Sequence, residues 1–341
     1  MKSFFKQLLI TSTLLITACG GGSDSSEQNS NPPTSNAPTT IQQAIDQATS
    51  RGVDAVWVYV VNQDGTGQAH VSGQQTRQPQ EPAQVNSLFK IASISKLYIA
   101  AATAKLAAQG TLSLDDTLAF WLPEYSNRIA NADSISLRQM VQHRSGIPDF
   151  DSQQGFSWEL SHTNIDTVLA YALDLPADFS PNARYEYSNT NYLLIGKILD
   201  KALGYSHHDY IQANIVATLG LADTYSLLST IDQSRLAHGY WNNVDRATQD
   251  YVIPGGSMIA TVEDTARFVH QLNAGDLLSA SEKAQYVYFY NHSGWVPGYQ
   301  SIANYHSDIG KTVVQFVNTT GNNSEAIATQ TYENILRVLR N

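Results

Sequence analysis

A serine followed three residues later by a lysine places a nucleophile within reach of a base. In this chain the spacing occurs at Ser3/Lys6, Ser87/Lys90 and Ser93/Lys96. On a helix, positions i and i+3 share a face, so a neutral lysine can take the serine proton. That chemistry needs the lysine pKa lowered from about 10.4 towards 7, roughly 4–5 kcal/mol, which burial supplies. Spacing by itself is also satisfied by a helix cap. Two further groups carry polar chemistry: Tyr187-Ser188-Asn189, a phenol and an amide two residues apart, and His292-Ser293-Gly294. Tyr-x-Asn recurs at Tyr125, Tyr240 and Tyr332, so position in the fold has to choose among them.

The elements around these residues narrow the choice. Ser93 opens a strong helical pattern, Leu97 to Gln109, alanine-rich and stopped by Gly110. At a helix start the backbone dipole favours negative charge on the serine oxygen. Ser87 precedes the helix, and Ser3 lies in the N-terminal leader. Tyr187-Ser188-Asn189 falls on a loop before a helix predicted from Tyr192 to Leu203. His292 follows a predicted strand, Tyr286 to Tyr290. His207-His208 reads as a solvated helix face, because no third ligand lies at helical spacing. No metal or phosphate-loop motif appears, and no cofactor is expected.

The pattern predicts strands at both chain ends. Ile41, Ala44, Ile45 and Ala48 mark a helix. Ala55 to Val61 reads as a buried strand, and Asp64-Gly65 as a turn into a second. Near the C-terminus, Gln300 to Tyr305 and Thr312 to Val317 read as strands and Glu325 to Leu339 as an amphipathic helix. The expected fold is therefore an antiparallel sheet flanked by helices, built from both chain ends. A mostly helical region is inserted between them. The sheet part covers about 41–92 and 256–341 and the helical part about 93–255, with a cleft at the seam.

The first 40 residues read differently. Lys2 and Lys6 precede an apolar run, Leu8 to Ile16, too short to span a bilayer. The run leads through Thr17-Ala18 to Cys19, the only cysteine among 341 residues. The expectation is a lipoprotein signal over 1–18 and a lipid anchor on Cys19. The polar stretch Gly20 to Thr40 follows as a tether spanning about 25 Å on average. A single cysteine excludes an intramolecular disulfide and a cysteine metal site. The formal net charge of −10 argues against nucleic acid as a partner.

Taken in order, several blocks resemble the serine β-lactamase and D-alanyl-D-alanine carboxypeptidase superfamily, in its class C-like branch with related esterases. Phe89-Lys90-Ile91-Ala92-Ser93-Ile94-Ser95-Lys96 is similar to the nucleophile block and separates Ser93 from Ser87. Leu112 to Pro123, Ile135 to Phe150, Tyr185 to Tyr192, Gly255 to Phe268 and His292 to Tyr299 are similar to the blocks that follow. Tyr240 then falls outside the tyrosine block, as a structural residue.

The resemblance implies a β-lactamase/transpeptidase-like fold and an acyl-enzyme on Ser93, with Lys96 and Tyr187 sharing the acid and base work. It implies that Asn189 orients substrate and Lys96, and that the backbone N–H groups of Ser93 and Trp295 form an oxyanion hole. Ser293, with His292 and Gly294, would receive a substrate carboxylate. A histidine titrating near 6.5 would strengthen that contact as pH falls towards 6. The substrate implied first is a D-Ala-D-Ala-type cell-wall peptide, then a small ester, then a β-lactam. A non-catalytic penicillin-binding-like lipoprotein is a further alternative. The implied location is the bacterial cell envelope, lipid-anchored, at the outer membrane.

Departures from the family pattern are local. Asn182 stands where glycine is usual, and asparagine tolerates the left-handed backbone. The segment between Leu278 and His292 is short enough to lose a strand and open one cleft wall. Trp295 and Phe150 are candidates either to crowd the cleft mouth or to fill the core.

Overall fold

The computed structural model describes residues 37–341. The leader, Cys19 and all but the end of the tether lie outside the described residues. Helix α1 (Ile41–Ser50) starts on a Thr40 cap and leads into β1 (Ala55–Val61). The strands β2 (Gly67–Arg77) and β3 (Gln80–Pro82) follow. The C-terminal part supplies β4 (His292–Val296), β5 (Tyr299–His306) and β6 (Lys311–Val317). Six strands form one antiparallel sheet in the order β3-β2-β1-β6-β5-β4.

The first strand explains why the sheet has two covered faces. Every residue of β1 is buried, and successive side chains point to opposite sides. Val56, Val58 and Val60 pack with α1 and the last helix, α5 (Ser324–Arg340). Trp57, Tyr59 and Val61 join the larger core on the other face. Two further helices belong to that core: α2 (Ser95–Ala108) and α4 (Val262–Asn273). Between them in sequence runs α3 (Asn189–Leu203), closed by Gly204 in the left-handed conformation. The α2 helix is buried from Ser95 to Ala104. An apolar surface on all sides marks a helix central to the fold.

Two expectations change. Residues 286–290 form no strand: Tyr286 and Tyr288 are buried and Phe289 and Tyr290 exposed, but among the described residues no strand pairs with them. Alternation of burial is not enough for a ladder without a partner. The sheet ends at β4, so His292 begins the edge strand instead of following one. The inserted region is also less helical than expected. Short strands at 224–225, 240–241 and 244–245 interrupt it. Among the described residues no helix is long and apolar enough to cross a membrane.

Candidate active site

Three pieces of chain converge on Ser93. Phe89–Lys90 pairs with Ile259–Ala260, and the Ile91 N–H donates to Met258 O at 3.0 Å. The Met258 N–H in turn donates to Ser95 Oγ at 3.2 Å. Ser93 itself lies in a 3₁₀ turn, Ala92–Ile94, running directly into α2. Ala92 before it has φ +49°, a conformation that costs a non-glycine residue about 1–3 kcal/mol and persists only where its surroundings enforce it. On the far side β4 presses against this turn. A Cβ on Gly294 would stand 2.3 Å from Ile91 O and 2.5 Å from Ser301 Oγ, so only glycine lets the edge strand come this close to the nucleophile.

Lys96 is 1% exposed, and its Nζ meets three oxygens: Ser93 Oγ at 3.0 Å, Asn189 Oδ1 at 2.9 Å and the Gly255 carbonyl at 3.0 Å. Burial lowers its pKa to about 7, against the opposing pull of Asp149 and Asp151. Donor accounting then defines the neutral state. An uncharged amine has two N–H groups and one lone pair. The Gly255 carbonyl and Asn189 Oδ1 can only accept, so they take the two N–H groups. The lone pair is left for the Ser93 hydroxyl proton. The same three contacts suit the ammonium formed after transfer.

Tyr187 completes the set by donating to Ser93 Oγ at 3.0 Å. Burial first holds its pKa well above 10, so it is a phenol throughout the working range. Asn189 is oriented from behind: its Nδ2 donates to Asp149 Oδ2 at 3.2 Å and to Asp151 Oδ2 at 3.3 Å. Ser93, Lys96, Tyr187 and Asn189 are thus brought together, from two chain segments about 90 residues apart.

His292 departs from its expected role. The Ser188 N–H donates to His143 Nδ1 at 3.2 Å, which leaves the His143 proton on Nε2, facing Tyr288 Oη at 3.3 Å. Tyr288 can then donate to His292 Nε2 at 2.8 Å, and the His292 Nδ1–H to the Ser293 carbonyl at 2.5 Å. Both His292 nitrogens are engaged, so the ring has no N–H left for a substrate carboxylate. Burial first, and then the Lys96 charge, push its pKa down to about 4. His143 is likewise held well below 6.5 by burial. As pH falls towards 6 His292 stays neutral, so it does not supply the expected gain in carboxylate binding. His143 stacks on Tyr187 at 4.3 Å, so the chain of bonds joins the tyrosine loop to the edge strand.

The other expected residues are placed as follows. Ser293 is exposed on β4. Trp295 pairs with Gln300 across β4 and β5, one residue from the Val296–Tyr299 pair that closes the hairpin. Antiparallel alternation turns the backbone groups of Ser293 and Trp295 away from β5, towards the open edge beside Ser93. The Trp295 indole donates to Glu325 at 3.1 Å and Phe150 is fully buried, so neither is free to crowd the cleft mouth. Ser87 bonds to Gln75 and Gln84, and Lys90 to the carbonyls of Arg246, Ala247 and Gln249; that pair is structural.

His207 is buried, with Nδ1 2.7 Å from Asp200, which corrects the expectation of a solvated face. Among the described residues no group of three or more His, Cys, Asp or Glu is arranged to hold a metal ion. Asn182 adopts φ +66°, the conformation expected of it. His143, Asp149, Asp151, Tyr288 and the Gly255 carbonyl carried no sequence signal strong enough to single them out. His143 and Asp149 lie within the Ile135 to Phe150 block and Gly255 opens the Gly255 to Phe268 block, which was the available hint; Asp151 falls just past the first and Tyr288 outside both.

A protein-family model described as Beta-lactamase matches residues 40–296. Penicillin-binding protein 4* of Bacillus subtilis (strain 168) is 26% identical over 235 residues, 63% of this chain and 51% of that protein. Esterase EstB of Burkholderia gladioli is 26% identical over 159 residues, 43% of this chain and 40% of that protein. The chain spans about half the length of the curated relatives it matches. Among solved structures, D-amino acid amidase from Ochrobactrum anthropi SV3, complexed with L-phenylalanine amide, superposes with a TM-score of 0.78. Its identity is 22%, and the match covers 88% of this chain and 98% of that one. The last likeness speaks for the fold.

Proposed function

The chain belongs to the beta-lactamase family, and on that premise we propose that it is a serine hydrolase working through a covalent acyl-enzyme on Ser93. One observation carries the reading: Lys96, held to a pKa of about 7, directs its lone pair at Ser93 while Asn189 and Gly255 occupy its N–H groups. Ser93 Oγ bonds to the substrate carbonyl carbon as its proton passes to Lys96 Nζ. The carbonyl oxygen takes up the electron pair against the backbone N–H groups of Ser93 and Trp295. The carbon–heteroatom bond then breaks, the Tyr187 hydroxyl protonates the leaving amine or alcohol, and the proton held by Lys96 is passed to the phenolate, so that Tyr187 is again a phenol and Lys96 again a neutral base. Water repeats the sequence on the acyl-enzyme and restores Ser93.

The favoured substrate is a small amide or ester with no carboxylate beside the scissile bond. Its support is the charge pattern of the cleft. His292 is neutral and fully engaged, while an aspartate pair that retains negative charge stands behind Asn189. A D-alanyl-D-alanine-type peptide is the second reading, favoured by the exposed Ser293 hydroxyl on the edge strand. The test is a side-by-side assay of an aryl ester, an amino-acid amide, a muramyl pentapeptide analogue and a chromogenic cephalosporin. Mass spectrometry of a fluorophosphonate adduct accompanies it. An adduct on a residue other than Ser93 sinks the mechanism, and fastest turnover of the pentapeptide reverses the order of substrates. The lipid anchor on Cys19 and an envelope location complete the proposal, on the sequence pattern described above.

A further inference from the structure

The Asn189 amide faces two kinds of partner, and only one orientation satisfies both. Its Oδ1 lies 2.9 Å from Lys96 Nζ and its Nδ2 lies 3.2 and 3.3 Å from carboxylate oxygens of Asp149 and Asp151. Turning the amide over would set its carbonyl against the aspartate pair, which carries negative charge even with Asp149 protonated, and an N–H against Lys96. The lysine lone pair would then be occupied by that N–H and closed to Ser93.

The carboxylates are themselves held rigidly. Thr190, next to Asn189, accepts from the Phe150 N–H at 2.9 Å and donates to Pro148 O at 2.7 Å, bracketing Asp149. Ser145 Oγ donates to Asn191 Oδ1 at 2.6 Å. The start of α3 is therefore bonded to the 145–151 loop at successive residues. Trp158 lies against Asp151 and favours its ionised form, although burial raises it overall. Burial, then the Asp151 charge, holds Asp149 above the ordinary carboxylate range. Asp149 Oδ1 is buried without a hydrogen-bond partner among the described residues.

We propose that Asp149 and Asp151 are positioning residues for the base, a carboxylate clamp that keeps the Asn189 carbonyl and not its N–H turned to Lys96. The inference rests on Lys96 being the base of an acyl-enzyme reaction at Ser93. The clamp also supplies the negative charge near that base. The other groups facing Lys96 are Ser93, the phenols Tyr187 and Tyr192, and the imidazoles His143 and His292. The phenols titrate well above 10 and the imidazoles below 6.5. Near neutral pH the negative charge among these groups therefore comes from the aspartate pair, in which burial keeps Asp149 protonated up to about pH 8.

The test compares wild type with Asp149→Asn, Asp151→Asn and the double variant on a neutral aryl ester, recording kcat against pH and the melting temperature. With the amide free to turn, kcat should fall about 10–100-fold, the scale of a misplaced catalytic group. In the double variant the acid limb should move to lower pH, because Lys96 loses its stabilising charges. In an Asn189→Ala background the same aspartate changes should cost little further kcat, since residues acting as a unit are not additive. An unmoved acid limb, with activity tracking melting temperature, would overturn the clamp in favour of a purely structural role. An unchanged ester kcat with a raised KM for a cationic amide would overturn it in favour of substrate-charge recognition. Ser93→Ala, labelled in parallel, separates this from the premise: an undiminished adduct there fails the acyl-enzyme reading itself.

Discussion

Gly255→Ala tests how tightly the base is seated. Gly255 has φ +77°, and an added Cβ would lie 2.8 Å from Lys96 Cγ and 3.0 Å from both Cβ and Cδ1 of Tyr192. Neither neighbour can withdraw freely. Tyr192 is fully buried, and the lysine stem is fixed at its far end by three hydrogen bonds. The left-handed backbone costs an alanine about 1–2 kcal/mol, and the overpacking about 1–3 kcal/mol more. For a domain of about 300 residues that corresponds to a melting temperature lower by about 3–8 °C. If the lysine yields, its amine leaves the line to Ser93, and displacement of that kind costs up to about 100-fold in kcat.

Gly204→Ala supplies the control. Its φ is +74°, and nothing lies within 4 Å of the added carbon, so it reports the backbone cost alone. The assay is ester hydrolysis at saturating substrate, well below both melting transitions, beside thermal unfolding of the two variants. Wild-type kcat in Gly255→Ala, with stability matching Gly204→Ala, would refute the seating argument.

Other outcomes follow from the same geometry. The kcat profile should rise through an apparent pKa near 7, where Lys96 loses its proton, and stay level towards pH 10, since Tyr187 titrates well above that. An acid limb near 4 would mean the base is not Lys96. Gly294→Ala should push the edge strand off the Ile91–Ser93 turn and lower kcat about 10²–10³-fold if the Trp295 N–H is an oxyanion donor; a change confined to KM would argue against that. Cys19→Ser should move the full-length protein from the detergent phase to the soluble fraction, and unchanged partitioning would refute the lipid anchor.

What could be read from the sequence was what local spacing encodes. The apolar stripe of Ile41, Ala44, Ile45 and Ala48, and the unbroken run Ala55 to Val61, follow helix and strand periods because burial on one or both faces demands them. Ser93 and Lys96 share a turn, and Tyr187 and Asn189 flank a helix start, so their blocks were legible in order. Tyr286 to Tyr290 misled for the same reason. Its alternation is real, but a strand also needs a neighbour, and which strand forms the sheet edge is a property of the assembled fold.

The tertiary structure alone decided how the site is wired. Gly255 reaches Lys96 across 159 residues, Asp149 reaches Asn189 across 40, and His143 reaches Tyr288 across 145. No periodicity records such pairs. The protonation states depend on them as well: burial brings Lys96 down to about 7 and His292 to about 4, whereas the residue types by themselves imply a charged lysine and a histidine titrating near 6.5. A side chain's identity limits which protons it can hold, but desolvation and the partners that folding brings to it determine which ones it does hold.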